Sequence, residues 1–319
     1  MHLGIEIGGT KLQLGVGAGD GSELVALERR DVNPGHGGAG IRDQIEDAGR
    51  ALLERHDIER IGFGFGGPID VTSGCVTTSH QIAGWDGFPL VEWSTKTLGR
   101  STVIANDCDA AALAEARFGA GRGRRVVFFV TVGTGVGGGL VIDGRNHAPW
   151  RPACAEIGHL KPTFEADAAN PTVESMASGR GIEHAARHRL NNAPDGSDET
   201  TNGDARDLLD RCSGDPGKLT GKIVAEAAES GNQIAQAVLN RACRALGWGI
   251  AQVLAIATPE VIVIGGGVSL MGEELFFDPL RREVARLVFA PLRDSYDIAP
   301  AQLGELVVVH GAIARAADG

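Results

Sequence analysis

Near the start of the chain, Gly4-Ile5-Glu6-Ile7-Gly8-Gly9-Thr10-Lys11 joins a short apolar stretch to an acidic residue, a glycine pair, a threonine and a lysine. The alternating stretch Leu12-Gln13-Leu14-Gly15-Val16 follows. This pattern predicts a β-hairpin whose tight turn exposes backbone N–H groups and the Thr10 hydroxyl. Glycines let the backbone approach a bound group and unpaired N–H groups attract anions, so such a turn can cradle a phosphate. A bare Gly-Gly-Thr is equally an ordinary hairpin turn. The constraint comes from recurrence: Val132-Gly133-Thr134-Gly135-Val136-Gly137-Gly138-Gly139 also lies between apolar, strand-like runs. Two Gly-Thr turns opening two halves of one chain point to a duplicated nucleotide clamp.

The segments between the turns read as an α/β layer. Residues 2–30 are expected to form three strands and residues 40–56 an amphipathic helix with Ile41, Ile45, Leu52 and Leu53 on one stripe. Strands are expected at Ile61–Phe65, running into Gly66-Gly67-Pro68, and at Ser101–Ala105, running into Asn106-Asp107 and an alanine-rich helix to Phe118. The Gly/Arg stretch 119–125 resembles a hinge, and Val126–Val132 begins a second set of strands continued by Leu140–Ile142. Residues 190–203 read as a polar surface loop, 231–257 as one buried helix, and Val261–Ile264 as a strand delivering Gly265-Gly266-Gly267. A last strand is expected at Leu306–Val309, then a small helix over Gly311–Arg315.

At 319 residues the chain can bury a large core, and its length favours two domains. No apolar stretch approaches the ~20 residues needed to span a bilayer, and no secretory signal pattern opens the chain. A net charge of −11 argues against nucleic acid as a partner. It does not argue against ATP, which backbone N–H groups and a magnesium ion can hold in an acidic protein. The short basic run Arg122-Gly123-Arg124-Arg125 reads as a solvated turn. Five scattered cysteines, never in a CxxC pair, are the pattern of reduced thiols in a cytoplasm.

Asp107 sits where a strand meets a helix. A carboxylate there can act as general base toward an attacking hydroxyl during phosphoryl transfer, although Asn-Asp at this place is also a standard helix cap. Glu156 and His159 stand three residues apart in an irregular segment, and Glu174 opens a helix. Carboxylates and a neutral imidazole suit sugar hydroxyls, which both donate and accept. Each also has an ordinary reading, as a helix-start acid or a satisfied histidine. No zinc-ligand spacing occurs among the histidines and cysteines. Magnesium carried by ATP needs no protein cage, and Glu6 and Asp107 are the candidates for an outer contact.

In this order, these motifs make the chain resemble the ROK family of bacterial sugar kinases and sugar-responsive repressors from Gly4 to Ala314. Gly8-Gly9-Thr10-Lys11 is similar to the family's first phosphate motif, and Gly133-Thr134-Gly135 lies in the counterpart of its second. Gly66-Gly67-Pro68-Ile69-Asp70 resembles the turn flanking the sugar, and Asn106-Asp107 the motif with the catalytic aspartate. Pro259-Glu260 through Gly265-Gly266-Gly267 resembles the strand and turn near the adenosine. Glu174, with Ala177-Ser178-Gly179, aligns with the glutamate opening a sugar-binding helix.

The resemblance implies an actin-like ATPase (ribonuclease H-like) fold with two domains around a cleft. Residues 1–117 with 300–319 would form the smaller domain and 118–299 the larger. It implies ATP-dependent phosphorylation of a hexose, with Asp107 as base and Gly67, Asn106, Glu156, His159 and Glu174 on the sugar. ATP and Mg²⁺ are the implied cofactors, and a homodimer in the cytoplasm the implied setting. Two departures stand out. Glu6 replaces the family's usual aspartate, so the longer side chain must fold back or reach the metal through a different water. The stretch Leu160 to Val173 lacks the cysteines that bind structural zinc in many relatives, so no zinc is expected; Glu165 and Asp167 lie near His159 instead.

Three other readings follow from the same residues. A repressor would need a helix-turn-helix ahead of the first strand, for which Met1-His2-Leu3 leaves no space. An actin-like ATPase acting on proteins would lack the set Glu156, His159 and Glu174. A non-catalytic sugar-binding member of the family is the main alternative. The sugar is not fixed by sequence, nor is the use of polyphosphate; Gly84-Trp85 and Asp86 are candidates for setting pocket size.

Overall fold

The computed structural model describes residues 1–79, 82–151, 154–162, 171–191 and 199–319. Contacts divide the chain into two compact units, Met1–Phe129 with Gly138–Ala155 and Ala301–Gly319, and Val130–Gly137 with Glu156–Pro300.

In the first unit, β1 (His2–Ile7), β2 (Lys11–Gly17) and β3 (Ala26–Asp31) form an antiparallel meander. Helix α1 (Gly37–Arg55) leads to β4 (Arg60–Phe65), then a small hairpin, β5 (Ile69–Asp70) and β6 (Cys75–Val76), and α2 (Leu90–Leu98). β7 (Ser101–Asn106) runs directly into α3 (Asp107–Phe118). The sheet order is β3-β2-β1-β4-β7. β4 is parallel to both β1 and β7, and the register aligns Ile7, Phe65 and Asn106. Three strands therefore end side by side, at Glu6-Ile7, Phe65-Gly66 and Asn106-Asp107. The carboxyl ends of parallel strands are where open α/β sheets bind ligands.

One face of this sheet carries Leu3, Ile5, Ile61 and Phe63, packed into a core with Ile41, Ile45 and Leu52 of α1 and Leu90 and Leu98 of α2. The alternating glycines Gly4, Gly15, Gly62 and Gly64 face the other way. An added Cβ at Gly4 would come 2.5 Å from Val309 O, one at Gly15 2.5 Å from Val309 Cγ1, and one at Gly62 would overlap the Ala312 carbonyl.

After α3 the chain forms β8 (Val126–Val132), β9 (Val136–Ile142) and β10 (Arg145–Asn146), which join a second sheet of order β10-β9-β8-β11-β12. The helices of the second unit are α4 (Val173–Ala177), α5 (Gly179–Asn191), α6 (Glu199–Arg211), α7 (Gly221–Glu229), α8 (Gln233–Ala257) and α9 (Asp278–Leu287). Side chains cap three of them: Thr172, Thr220 and Asn232 accept from Ser175, Ile223 and Ala235 N–H groups. The strands β11 (Val261–Gly265) and β12 (Asp297–Pro300) pair in parallel. α8 is buried along its length and packs on α4, α5, α7 and α9.

The chain closes with α10 (Val307–Asp318), which packs on β1, β2, β4 and α3. This corrects the expectation of a strand at Leu306–Val309. The three valines favour strands intrinsically, but tertiary packing overrides propensity. Only a helix can present Val308, Val309, Ala312 and Ile313 together to the glycine-lined face. The expected loop over 190–203 is likewise corrected at its ends, since α5 continues to Asn191 and α6 begins at Glu199; residues 192–198 lie outside the described residues.

A fully buried carboxylate fastens these pieces. Glu115 of α3 is 0% exposed and accepts from Ala120 N (2.9 Å), Gln302 N (2.8 Å) and Leu303 N (2.8 Å). Three amide donors satisfy a charge that would otherwise be costly to bury.

Gly62→Ala is expected to lower stability by about 3 kcal/mol, because a backbone carbonyl cannot move aside as a side chain would. Gly203→Ala, in an exposed helical position with open space around it, should instead add about 0.5–1 kcal/mol. Urea denaturation of the two variants checks both signs.

Candidate active site

In the first unit the candidate residues gather at the strand ends. Gly8 N donates to Lys11 O (3.0 Å), closing the β1–β2 turn. Gly8 and Gly9 share a small cleft with Phe65, Gly66, Ser79 and Trp85. Gly66 N donates to Ile7 O (3.1 Å), which ties the second glycine turn to the first strand. Lys11 does not line this cleft; its Nζ lies 4.0 Å from Glu305 Oε2.

Asn106 caps α3 from an extended backbone conformation. Its Oδ1 accepts from Cys108 N (2.8 Å), while its Nδ2 donates to Gly67 O (3.1 Å). One side chain thus fixes both the helix start and the Gly66-Gly67 turn. Asp107 Oδ1 also accepts from Cys108 N (2.9 Å), and a Cβ on Gly66 would lie 3.4 Å from Asp107 Oδ2. Burial pushes the Asp107 carboxyl above the ordinary aspartate range, and the hydrogen bonds from Cys108 and Asn106 only partly offset it.

Glu6 folds back, as its length requires: Gln13 Nε2 donates to Glu6 Oε2 at 2.7 Å. Gln13 is itself buried, and its Oε1 accepts from Arg29 Nε (3.0 Å). The Glu6 carboxyl is raised chiefly by burial; Gln13 and Lys11 oppose the shift, and the neighbouring charges of Asp107 and Glu305 add to it. Glu6 and Asp107 therefore feel each other's charge. Sequence reasoning missed Gln13, which reads only as the polar member of an alternating strand.

Trp85, a candidate for setting pocket size, is fully buried at this cleft. It packs edge-on against Phe65 (5.4 Å between centroids), and its Nε1–H has no hydrogen-bond partner among the described residues. Asp86 does not line the cleft but accepts from Thr78 Oγ1 (2.9 Å) and from N of the cleft residue Ser79 (3.2 Å).

In the second unit the candidates surround the start of β9. Gly133 N donates to Gly135 O (2.9 Å), forming the second glycine turn. Glu174 Oε2 accepts from Val136 N at 2.9 Å and fills the space a Cβ on Gly135 would need. Gly179 N donates to Gly133 O (2.7 Å), so the α4–α5 junction grips the turn at both ends. The 3₁₀ turn Ile157–His159 packs Gly158 directly on Val136 O. Val173 N donates to Leu160 O (2.9 Å), which brings this segment beside α4. Glu156 and His159 are exposed there. The residue before Glu156, Ala155, has a left-handed backbone (φ 61°), a conformation that costs a non-glycine residue energy and recurs at functional sites. Glu165 and Asp167 lie outside the described residues.

A cavity of about 840 Å³ opens beside this turn. Of the residues expected to hold nucleotide, Gly133, Thr134 and Gly267 line it, and Gly135, Gly265 and Gly266 do not. Gly266 instead permits close approach: φ is 89° and a Cβ would fall 2.5 Å from Val132 O. The cavity wall also includes Arg180, Lys222, Val268, Leu270 and Met271, which sequence reasoning missed. The signal available was Thr220-Gly221-Lys222, a helix cap followed by a glycine and a cation. Among the described residues no group of three or more His, Cys, Asp or Glu side chains is placed to hold a metal.

With this geometry in hand, the comparisons with known proteins converge. The glucokinase of Streptomyces coelicolor is 31% identical across 100% of this chain and 98% of its own length. The glucokinase of Thermotoga maritima is 29% identical across 97% and 95%. A crystal structure of a ROK family glucokinase from Streptomyces griseus, in complex with glucose and AMPPNP, superposes with a TM-score of 0.81 at 31% identity, covering 100% of this chain and 99% of that one. The ROK hexokinase of Thermus thermophilus matches with a TM-score of 0.81 at 26% identity, covering 100% and 99%. The fold is the actin-like ATPase fold of these neighbours. The ROK family model matches residues 2–318, and the chain belongs to the ROK family.

Proposed function

We propose that this protein is an ATP-dependent sugar kinase that phosphorylates a hexose hydroxyl, with Asp107 as general base. The observation that carries the reading is the Asp107 carboxylate. It lies at the carboxyl end of parallel strands, beside Gly66, whose turn shares a cleft with Gly8 and Gly9. Its raised pKa makes it a better proton acceptor than an exposed aspartate. As the hydroxyl oxygen attacks the γ-phosphorus, its proton passes to Asp107, the bond to the β-phosphate oxygen breaks, and ADP leaves.

The nucleotide fit rests on Gly133 and Gly267. A Cβ on either would meet nothing within 4 Å, and both line the 840 Å³ cavity, so the missing side chains leave room for a ligand. Val268, Leu270 and Met271 offer an apolar wall for a base, and Arg180 and Lys222 offer cations. Thr10, Thr134 and the N–H groups of both glycine turns serve the phosphates. Bound with ATP, Mg²⁺ neutralises phosphate charge; Glu6, raised by burial and lying near Asp107, fits an outer contact to it.

Asn106, Gly67, Glu156, His159 and Glu174 hold the sugar in this reading. Trp85 lines the Gly8–Gly66 cleft, and its indole N–H, without a partner among the described residues, would suit a polar guest there, since a buried donor left unmatched costs about 1–3 kcal/mol. Glucose is the first sugar to test, because the Streptomyces griseus relative is described with it. Five cysteines with no disulfide among the described residues suit a reducing cytoplasm. A non-catalytic sugar-binding role is the alternative, and a coupled ADP assay across hexoses separates the two: sugar-dependent ADP release supports the kinase, and binding without it supports the alternative.

Asp107→Asn should leave sugar binding near wild type while lowering kcat on the order of 10²–10⁴-fold. The base must be ionised to act, so kcat/KM should fall as pH drops through the Asp107 pKa. Because burial raises that pKa, the acid limb should lie above the ordinary aspartate value of about 4. Near-wild-type turnover, or an acid limb at or below that value, would count against Asp107. Glu174→Ala frees the Val136 N–H and should weaken AMPPNP binding about tenfold even without sugar. Glu174→Gln keeps an acceptor and should lose less. An unchanged AMPPNP Kd in the alanine variant would mean that the turn holds itself.

A further inference from the structure

The first unit contains a second cavity, of about 650 Å³, where the C-terminal ends of α3 and α10 meet the β9–β10 hairpin. No residue of the proposed catalytic set lines it. Arg117 lies ten residues beyond Asp107 on α3, roughly 15 Å along the helix. The lining carries three arginines, Arg117, Arg145 and Arg315, two aspartates, Asp143 and Asp318, and Trp150.

The charges are not balanced. Arg117 is fully engaged: Nη1 and Nη2 donate to Asp318 (2.9 and 2.7 Å) and Nε to Gly144 O (2.9 Å). Asp143 is committed to Arg125, which donates to it at 2.9 and 3.3 Å. Gly319 lies at the rim. That leaves Arg145 and Arg315, which make no ion pair among the described residues. Two guanidiniums without an ion pair among the described residues thus lie on one concave wall. Guanidinium donors match phosphate oxygens in a planar, two-point fashion.

Trp150 supplies the second recognition element. Its side chain is 65% exposed, the most exposed aromatic position together with Phe289 among the described residues. An indole on a pocket wall provides an apolar face against which the C–H face of a sugar ring packs. The volume falls in the range of small-molecule sites, about 300–1,000 Å³. A bare phosphate would leave the indole unused, and a neutral sugar would leave the arginines unused.

We infer that this cavity binds a sugar phosphate, its phosphate on Arg145 and Arg315 and its ring on Trp150. The binding stands on the lining alone. Only its consequence, regulation of the enzyme by its own class of product, rests on the kinase reading.

The test is a calorimetric titration of the full-length protein with glucose 6-phosphate, in saturating glucose and AMPPNP so that the active site is occupied. Inorganic phosphate and additional glucose are the comparison ligands. Expected is saturable binding of the ester, at least tenfold tighter than inorganic phosphate, and no second site for glucose. Arg145→Ala/Arg315→Ala should weaken ester binding tenfold or more while leaving the melting temperature and the kcat measured without ester at wild-type values. Trp150→Ala should weaken the ester and leave inorganic phosphate unaffected. Absence of saturable binding, ester affinity unchanged in the double arginine variant, or inorganic phosphate binding as tightly as the ester would each overturn the assignment. Failure of the ADP assay would remove the kinase reading and leave this titration standing, so the two can fail separately.

Discussion

The close seating of α10 on the glycine face of the first sheet is the constraint from which the rest follows. Gly4, Gly15, Gly62 and Gly64 give up side chains so that Val308, Val309, Ala312 and Ile313 can approach the strands. On the helix side, Gly311 does the same against the Ala110 carbonyl of α3. Interiors packed this tightly do not deform continuously, so two helices and three strands become one rigid body. The strand ends carrying Glu6, Gly66 and Asn106-Asp107 are fixed as a consequence, without any of those residues needing to be rigid by itself. The buried Glu115 carboxylate serves the same end, fastening Gln302 and Leu303 to α3 just before the last helix.

At the site, single polar side chains tie separate elements together. Asn106 caps α3 and holds Gly67; Glu174 opens α4 and holds Val136; Gln13 steadies Glu6 and is steadied by Arg29. In this way carboxylates and amides of other segments hold the glycine turns in place. The same economy explains how Glu6 can stand where the family has an aspartate. Its extra methylene is taken up by the bond to Gln13.

Most of the site was legible because its signals are local. A glycine pair after a strand and Asn-Asp before an alanine-rich helix each carry their own conformational requirement within a few residues. What stayed hidden depends on tertiary context. Val307-Val308-Val309 has strand propensity, and only the glycines of distant strands make it helical. The bond from Val136 to Glu174 spans 38 residues, and nothing in either neighbourhood announces it. Arg180, Lys222 and Leu270 enter the cavity beside the second glycine turn from separate elements, so no single window of sequence could gather them. The Trp85 nitrogen, unpaired among the described residues, is likewise visible only once burial is known.

The central claim is that Asp107 receives the proton of the sugar hydroxyl. A crystal structure with glucose and a non-hydrolysable ATP analogue tests it most directly. Expected is one glucose hydroxyl within hydrogen-bonding distance of the Asp107 carboxylate, about 2.6–3.2 Å. Glucose bound with every hydroxyl remote from that carboxylate would contradict the account.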